Sequence, residues 1–176
     1  SSSRIYEVEA NANEDIVAES VSDYSVPRKT GGCNILLYGV PGAGKSYTIK
    51  TEYCDDPLRM ERVVFHPDYT YSDFVGQILP KVSEEGLVSY EFTEGPFTRL
   101  LKKAYQNPGA EYYLIIEEIN RGNAPAIFGD VFQLLDRDSE GNSEYGISNA
   151  DIARRVYGDE SKLVRIPSNM YIIGTM

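Results

Sequence analysis

The chain has 176 residues, 17 of them Lys or Arg against 27 Asp or Glu, which gives a net charge of −10 with His66 neutral. That length suits one domain with a ragged end, and at 41% apolar and 25% charged the chain is too apolar for wholesale disorder. So acidic a chain is a poor freestanding nucleic-acid binder, no apolar run nears the roughly 18 residues of a membrane span, Ser1–Asn13 lacks signal-peptide shape, and Cys33 and Cys54 lack ligand spacing, so a cytoplasmic, reducing setting is expected.

In chain order, residues 1–30 read as an acidic lead-in and linker. Glu7, Glu9, Glu14, Asp15, Glu19 and Asp23 face a single base, Arg4, before Tyr24. Within it Arg4–Ala10 alternates like an edge strand, and Pro27–Gly32 reads as the linker. Asn34–Tyr38 is a short apolar run with glycines behind it, the pattern of a buried parallel strand. Gly44 to about Tyr53 predicts a helix, and Arg62–His66 a strand stopped by Pro67. Ser72–Leu79 predicts a second helix, starting near Ser72 or Asp73. Leu87–Phe92 alternates like a hairpin arm.

Phe97, Leu100, Leu101 and Ala104 predict a helix over Pro96–Gln106, stopped at Asn107-Pro108-Gly109. Tyr112–Ile116 predicts another buried strand. Pro125–Leu135 reads as an amphipathic helix with Ile127, Phe128, Val131, Leu134 and Leu135 inward. Asp136–Tyr145 reads as an exposed loop. A short helix over Asn149–Tyr157 is closed by Gly158, and Met170–Gly174 is the last strand. Strands alternating with helices predict an α/β fold with a mainly parallel sheet covered on both faces.

Gly39-Val40-Pro41-Gly42-Ala43-Gly44-Lys45-Ser46 matches G-x-x-x-x-G-K-S/T between a predicted strand and a predicted helix. Such a match arises by chance at about one position in 30,000. Its glycines let backbone N–H groups turn inward onto phosphate oxygens, and the following helix, with Tyr47 in its first turn, presents its N-terminus to the same anion. Lys45 is the residue expected to reach the β- and γ-phosphates, and Ser46 the residue expected to ligate Mg²⁺. Glu117-Glu118 end the strand Tyr112–Ile116, and ligands of open α/β sheets sit at the carboxyl ends of strands. Glu117 then assists the metal, and Glu118 polarises the attacking water.

With those residues in place the chain resembles an AAA+ nucleoside triphosphatase of the McrB-like family, the motor subunits of modification-dependent restriction systems. Four stretches carry the resemblance: Gly39–Ser46; Val64–Phe74, with its F-H-P-x-Y-x-Y-x-D-F run; Leu114–Ala124 with Ile127–Asp130, including E-I-N-R-G-N; and Asn169–Met176. It implies a P-loop NTPase fold, with residues 31–176 forming a partial nucleotide-binding core that lacks its last strand and helical lid. It also implies that Met170–Gly174 lies between the loop strand and the Glu117 strand. The outer edge of Asn34–Tyr38 is then expected to be covered by Arg4–Ala10 or by a neighbouring molecule. GTP or ATP with Mg²⁺, a homo-oligomeric ring, a separate nuclease subunit and DNA contacted through other domains follow from the same resemblance, with no membrane. The family usually has Asp where this chain has Glu117.

Rival readings are a generic ATP-driven AAA+ remodeller and a nucleotide-binding module that does not hydrolyse. The resemblance turns Asn120 and Arg121 toward the nucleotide or a neighbouring subunit; a loop cap and a surface arginine are the plainer alternative. Arg154-Arg155 suits a solvated helix face better than a contact for DNA or for another subunit. His66 has no second His or Cys nearby to share a metal. Tyr69 and Tyr71 suit a half-buried loop better than stacking on a base.

Overall fold

The computed structural model describes residues 26–176. The strand expected at Arg4–Ala10, and its cover of the sheet edge, lie outside the described residues. In chain order the elements are β1 (Asn34–Leu37), α1 (Lys45–Thr48), β2 (Met60–Val64), α2 (Tyr71–Phe74), β3 (Gly76–Val82), β4 (Val88–Glu94), α3 (Pro96–Gln106), β5 (Tyr112–Glu117), α4 (Ala124–Phe128), α5 (Ala150–Tyr157) and β6 (Met170–Thr175). Strands β1, β6, β5 and β2 pair in that order, all parallel, and β3 and β4 form a separate antiparallel hairpin. The last strand therefore sits between the loop strand and the Glu117 strand, as expected. Among the described residues, no strand pairs with the outer side of β1.

Side-chain alternation along β5 feeds two cores. Tyr112, Leu114 and Ile116 join Phe65, Phe74, Phe97 and Phe128 on one face, whereas Tyr113 and Ile115 join Ile49, Cys54 and Ile173 on the other. Leu114, Ile115 and Ile116 are wholly buried, worth about 1.5–3 kcal/mol each. Helix α3 spans the residues its spacing predicts, with Pro96 in its first turn and Phe97, Leu100, Leu101 and Ala104 buried. Helix α5 also matches: the Asn149 side chain accepts the Ile152 N–H at 3.1 Å, and Gly158 closes it at φ 71°.

Four expectations are corrected. The helix predicted over Ser72–Leu79 is one turn long. Thr70 and Asp73 form a capping box that starts α2 at Tyr71, one residue early, and Gly76, at φ 132°, turns the chain into β3. The helix predicted over Pro125–Leu135 changes at Gly129, at φ 53°, from α4 into a 3₁₀ segment, Gly129–Leu135; Ile127, Phe128, Val131 and Leu134 are still buried. Asp136–Tyr145 is not a free loop. Its Asp138 carboxylate accepts the N–H groups of Glu140, Gly141 and Asn142 at 3.0 Å each, and the buried Ser143 hydroxyl donates to Leu134 O at 2.6 Å. Nor is Pro27–Gly32 a free linker. Arg28 Nη1 donates to Ala104 O at 2.7 Å and Asn169 Oδ1 at 2.8 Å, and the Gly32 N–H donates to Ser168 O at 2.7 Å. Smaller shifts move the second strand to Met60–Val64 and widen the segment after α1 into a π-helical turn, Ile49–Tyr53.

The hairpin has one apolar face. Its cross-strand pairs Ile78–Phe92, Pro80–Tyr90 and Val82–Val88 lie on that face, and Lys81 and Glu91, bonded at 2.9 Å, lie on the other. Phe92 is buried at the base, while Tyr90 is 72% exposed.

Candidate nucleotide site

Strand β1 delivers the chain to the glycine-rich loop at the carboxyl end of the sheet. Gly42 (φ 83°) and Gly44 (φ 80°) take the left-handed conformation that the curl requires, with open space where a side chain would stand. Ala43 N–H donates to Val40 O at 3.0 Å and Thr48 N–H to Gly44 O at 2.9 Å, so Val40, Pro41 and Ala43 wrap the start of α1. The first turn of any helix leaves N–H groups without intrahelical acceptors, and here that turn holds Lys45, Ser46 and Tyr47. Lys45 Nζ reaches back across the loop to Gly39 O at 2.7 Å and Val40 O at 3.4 Å. A cavity of about 240 Å³ opens beside it, lined by Leu36, Leu37, Tyr38, Ala43, Lys45 and Thr48. Ser46 and Tyr47 are exposed.

Parity places Glu117 on the same sheet face as Tyr113 and Ile115, the face that Ile49 covers after the loop. Its carboxylate is held by Arg62 on the neighbouring strand, Nη1 to Oε1 at 2.7 Å. Glu118 has φ 54° and ψ 43°, and is the non-glycine residue at positive φ among the described residues. A longer polar side chain in that conformation stores about 1–2 kcal/mol of strain. Its carboxylate lies 3.2 Å from Arg121 Nε, so each of the two acids faces an arginine. Asn120 and Arg121 are exposed in the 3₁₀ turn Ile119–Arg121.

The sheet order thus brings the loop and the acidic pair to one end of the sheet, with Glu117 on the face that Ile49 covers. Among the described residues no group of three or more His, Cys, Asp or Glu can hold a metal alone. A hard cation here would need oxygen ligands from a bound phosphate, with Ser46 and Glu117 adding at most two from the protein. That donor set fits Mg²⁺.

Beyond the predicted residues, Tyr71 gains a partner. Its hydroxyl donates to Asp130 Oδ1 at 2.9 Å, and Asn149 Nδ2 donates to both, at 3.1 Å to the hydroxyl and 2.9 Å to Asp130 Oδ2. Burial, followed by the bond to Asp130, pushes the Tyr71 phenol well above its ordinary range. Tyr69 stacks on Phe65 with ring centroids 5.3 Å apart, and burial pushes its phenol up to about 12. Neither ring is free to receive a base. His66 is exposed and packs edge-on against Tyr69. Arg155, expected on a solvated face, donates instead to Phe92 O at the hairpin base, whereas Arg154 pairs with Asp151 and Glu160. No sequence signal announced Arg62; its place follows only from the β2–β5 register.

The family model for the AAA domain, dynein-related subfamily, matches residues 34–176. The type II restriction enzyme BsuMI component YdiS of Bacillus subtilis is 37% identical over 180 residues, covering 86% of this chain and 51% of that protein. The type IV methyl-directed restriction enzyme EcoKMcrB subunit of Escherichia coli is 30% identical over 176 residues, covering 97% of this chain and 36% of that protein. The chain therefore spans about half the length of the first relative and about a third of the second. A solved structure from Cytophaga hutchinsonii aligns over 82% of this chain and 34% of that one, with a TM-score of 0.44 at 20% identity, and adds nothing to the assignment. In the described residues no helix is long and apolar enough to cross a membrane. With the loop, the parallel sheet and the family match on the same residues, the chain belongs to the dynein-related AAA family and is McrB-like within it.

Proposed function

We propose that this chain is the nucleotide-hydrolysing core of an McrB-like motor. The observation that carries the reading is that Gly39–Ser46 and Glu117-Glu118 stand at one end of the sheet, with Glu117 on the face covered after α1. On nucleotide binding, Lys45 Nζ exchanges the carbonyls of Gly39 and Val40 for β- and γ-phosphate oxygens. Backbone N–H groups of Gly42–Ser46 cradle the same phosphates, beside the side chain of Tyr47. Ser46 and Glu117 would hold Mg²⁺, which would supply charge neutralisation on the triphosphate. Glu118 orients and deprotonates the attacking water, and its strained backbone fixes the carboxylate's direction. Asn120 and Arg121 face the nucleotide or an adjacent subunit.

The family match begins at residue 34, which supports reading residues 1–30 as a lead-in outside the core. The restriction-enzyme names of the two relatives support a place in a modified-DNA restriction system. There the chain works as a ring, with a separate nuclease subunit and DNA contacted through other domains.

Calorimetric titration with non-hydrolysable GTP and ATP analogues plus Mg²⁺ tests the reading, repeated on Lys45→Ala. GTP preferred, and lost in the variant, is the expected result. Preference for ATP points to a general AAA+ remodeller. Glu118→Gln is expected to keep binding and lose turnover, and a wild type that binds without turnover makes the chain a binding module.

A further inference from the structure

Glu117 is held sideways. In the order β1-β6-β5-β2, the glycine-rich loop follows the strand two places to one side of β5, whereas Arg62 stands on the strand at the other side. Neighbouring strands are about 4.8 Å apart, so the loop strand is roughly 10 Å from β5 in the direction opposite to Arg62. Arg62 is in register with Ile115, two residues before Glu117 on the same face, and its stem climbs along β2 to the carboxylate. Val64, the residue directly beside Glu117, is apolar and half exposed, so it offers no competing partner. Among the described residues, the 2.7 Å bond is the one hydrogen bond either side chain makes. The methylene by which glutamate exceeds aspartate lengthens the carboxylate's reach toward β2.

We infer that Arg62 is a positioning residue that competes with the cation for Glu117: it draws the carboxylate toward β2, and a divalent ion arriving with a nucleotide triphosphate must displace it. The inference rests on the nucleotide reading above. It assigns Arg62 a role in setting the cation concentration at which the site closes on its nucleotide. Arg62 is 40% exposed and Glu117 25%, so the pair is partly hydrated and breakable. Exposed pairs of this kind shift an equilibrium about two- to fivefold.

The test uses the whole chain, a non-hydrolysable GTP or ATP analogue, and Mg²⁺ titrated from zero after EDTA treatment. Calorimetry gives the Mg²⁺ concentration at half effect, and Mn²⁺ electron paramagnetic resonance reads the bound metal directly. Arg62→Met keeps the stem and removes the charge. It is expected to lower the half-effect concentration about two- to fivefold while leaving metal-free nucleotide affinity unchanged. Arg62→Lys is expected to stay near the wild type. In a Glu117→Gln background, Arg62→Met is expected to shift nothing, because the effect runs through that carboxylate.

An unchanged Mg²⁺ midpoint in Arg62→Met overturns the inference, and so does a gain that persists without Glu117. A wild type that binds no nucleotide with or without Mg²⁺ overturns the nucleotide reading and this inference together. A wild type that binds normally beside an unresponsive Arg62→Met overturns this inference alone.

Discussion

Asn169→Ala is expected to cost about 3 kcal/mol of folding stability, most of it from one amide. Asn169 is fully buried just before β6. Its Nδ2 lies 2.9 Å from Ala104 O, 3.2 Å from Asn107 O and 2.8 Å from Ala110 O, and its Oδ1 accepts Arg28 Nη1 at 2.8 Å. An amide has only two protons, so the three carbonyls share two donations. Two donated bonds and one accepted, at about 1 kcal/mol each, give the total. For a domain of this size that lowers the melting midpoint by about 6–12 °C. Urea unfolding followed by circular dichroism is the assay, with the midpoint moving at constant slope. Asn107→Ala is the control, because its exposed Nδ2 makes a single bond to Lys103 O at 2.9 Å. A loss below about 1 kcal/mol for Asn169→Ala would refute the idea that this amide ties the end of α3 to the start of β6.

Three further outcomes follow from the same structure. At Gly129, an added Cβ would stand 2.8 Å from the Tyr71 ring at a φ of 53°, so Gly129→Ala should destabilise by about 2–4 kcal/mol in urea unfolding. Glu118→Gly should be about 1 kcal/mol more stable than Glu118→Ala by the same assay, because only glycine relieves the left-handed backbone. Equal stability of the two would mean that the backbone there carries no strain. The Tyr69 and Tyr71 phenols titrate above the ordinary tyrosine value of 10, Tyr69 at about 12. Their folded values are raised, so their contribution is complete below pH 10 and is lost as pH climbs toward 12. Absorbance at 295 nm should show them ionising late and together with unfolding, and early, unfolding-free ionisation would contradict their burial.

The loop and the acidic pair were legible because each depends on local chemistry: glycines where the backbone must curl, and carboxylates where an apolar strand ends. Helices α3 and α5 were legible because Pro96, Asn149 and Gly158 mark their ends as plainly as the apolar spacing marks their faces. The hairpin arm β3 carries a helix-like sequence for a physical reason. Phe74, Val75, Ile78 and Leu79 satisfy helical spacing, and a run that short does not distinguish the two periods. What decides is Gly76 at φ 132°, packed so closely on Phe92 that a Cβ would lie 2.5 Å from its ring, which is a tertiary fact. Gly129 broke the second helix in the same way, through Tyr71. Arg62 and Asn169 are beyond local reading altogether, since the partner of Arg62 is 55 residues away in sequence and those of Asn169 are 59–141 residues away.

The hairpin is also mechanically separable from the sheet. Gly95 N–H donates to Val75 O at 3.0 Å, and the Thr98 hydroxyl donates to the same carbonyl at 2.6 Å. The two ends of the excursion Gly76–Glu94 are thus clasped by groups that lie outside it, and the closure entropy of the arm grows only slowly with its length. Past the anchoring Phe92–Gly76 contact, the arm behaves as a cassette. Its turn at Ser83–Leu87 can be lengthened, replaced or made to carry a fused peptide while the four parallel strands keep their register. Selection can therefore reshape this finger for new surroundings without renegotiating the phosphate loop.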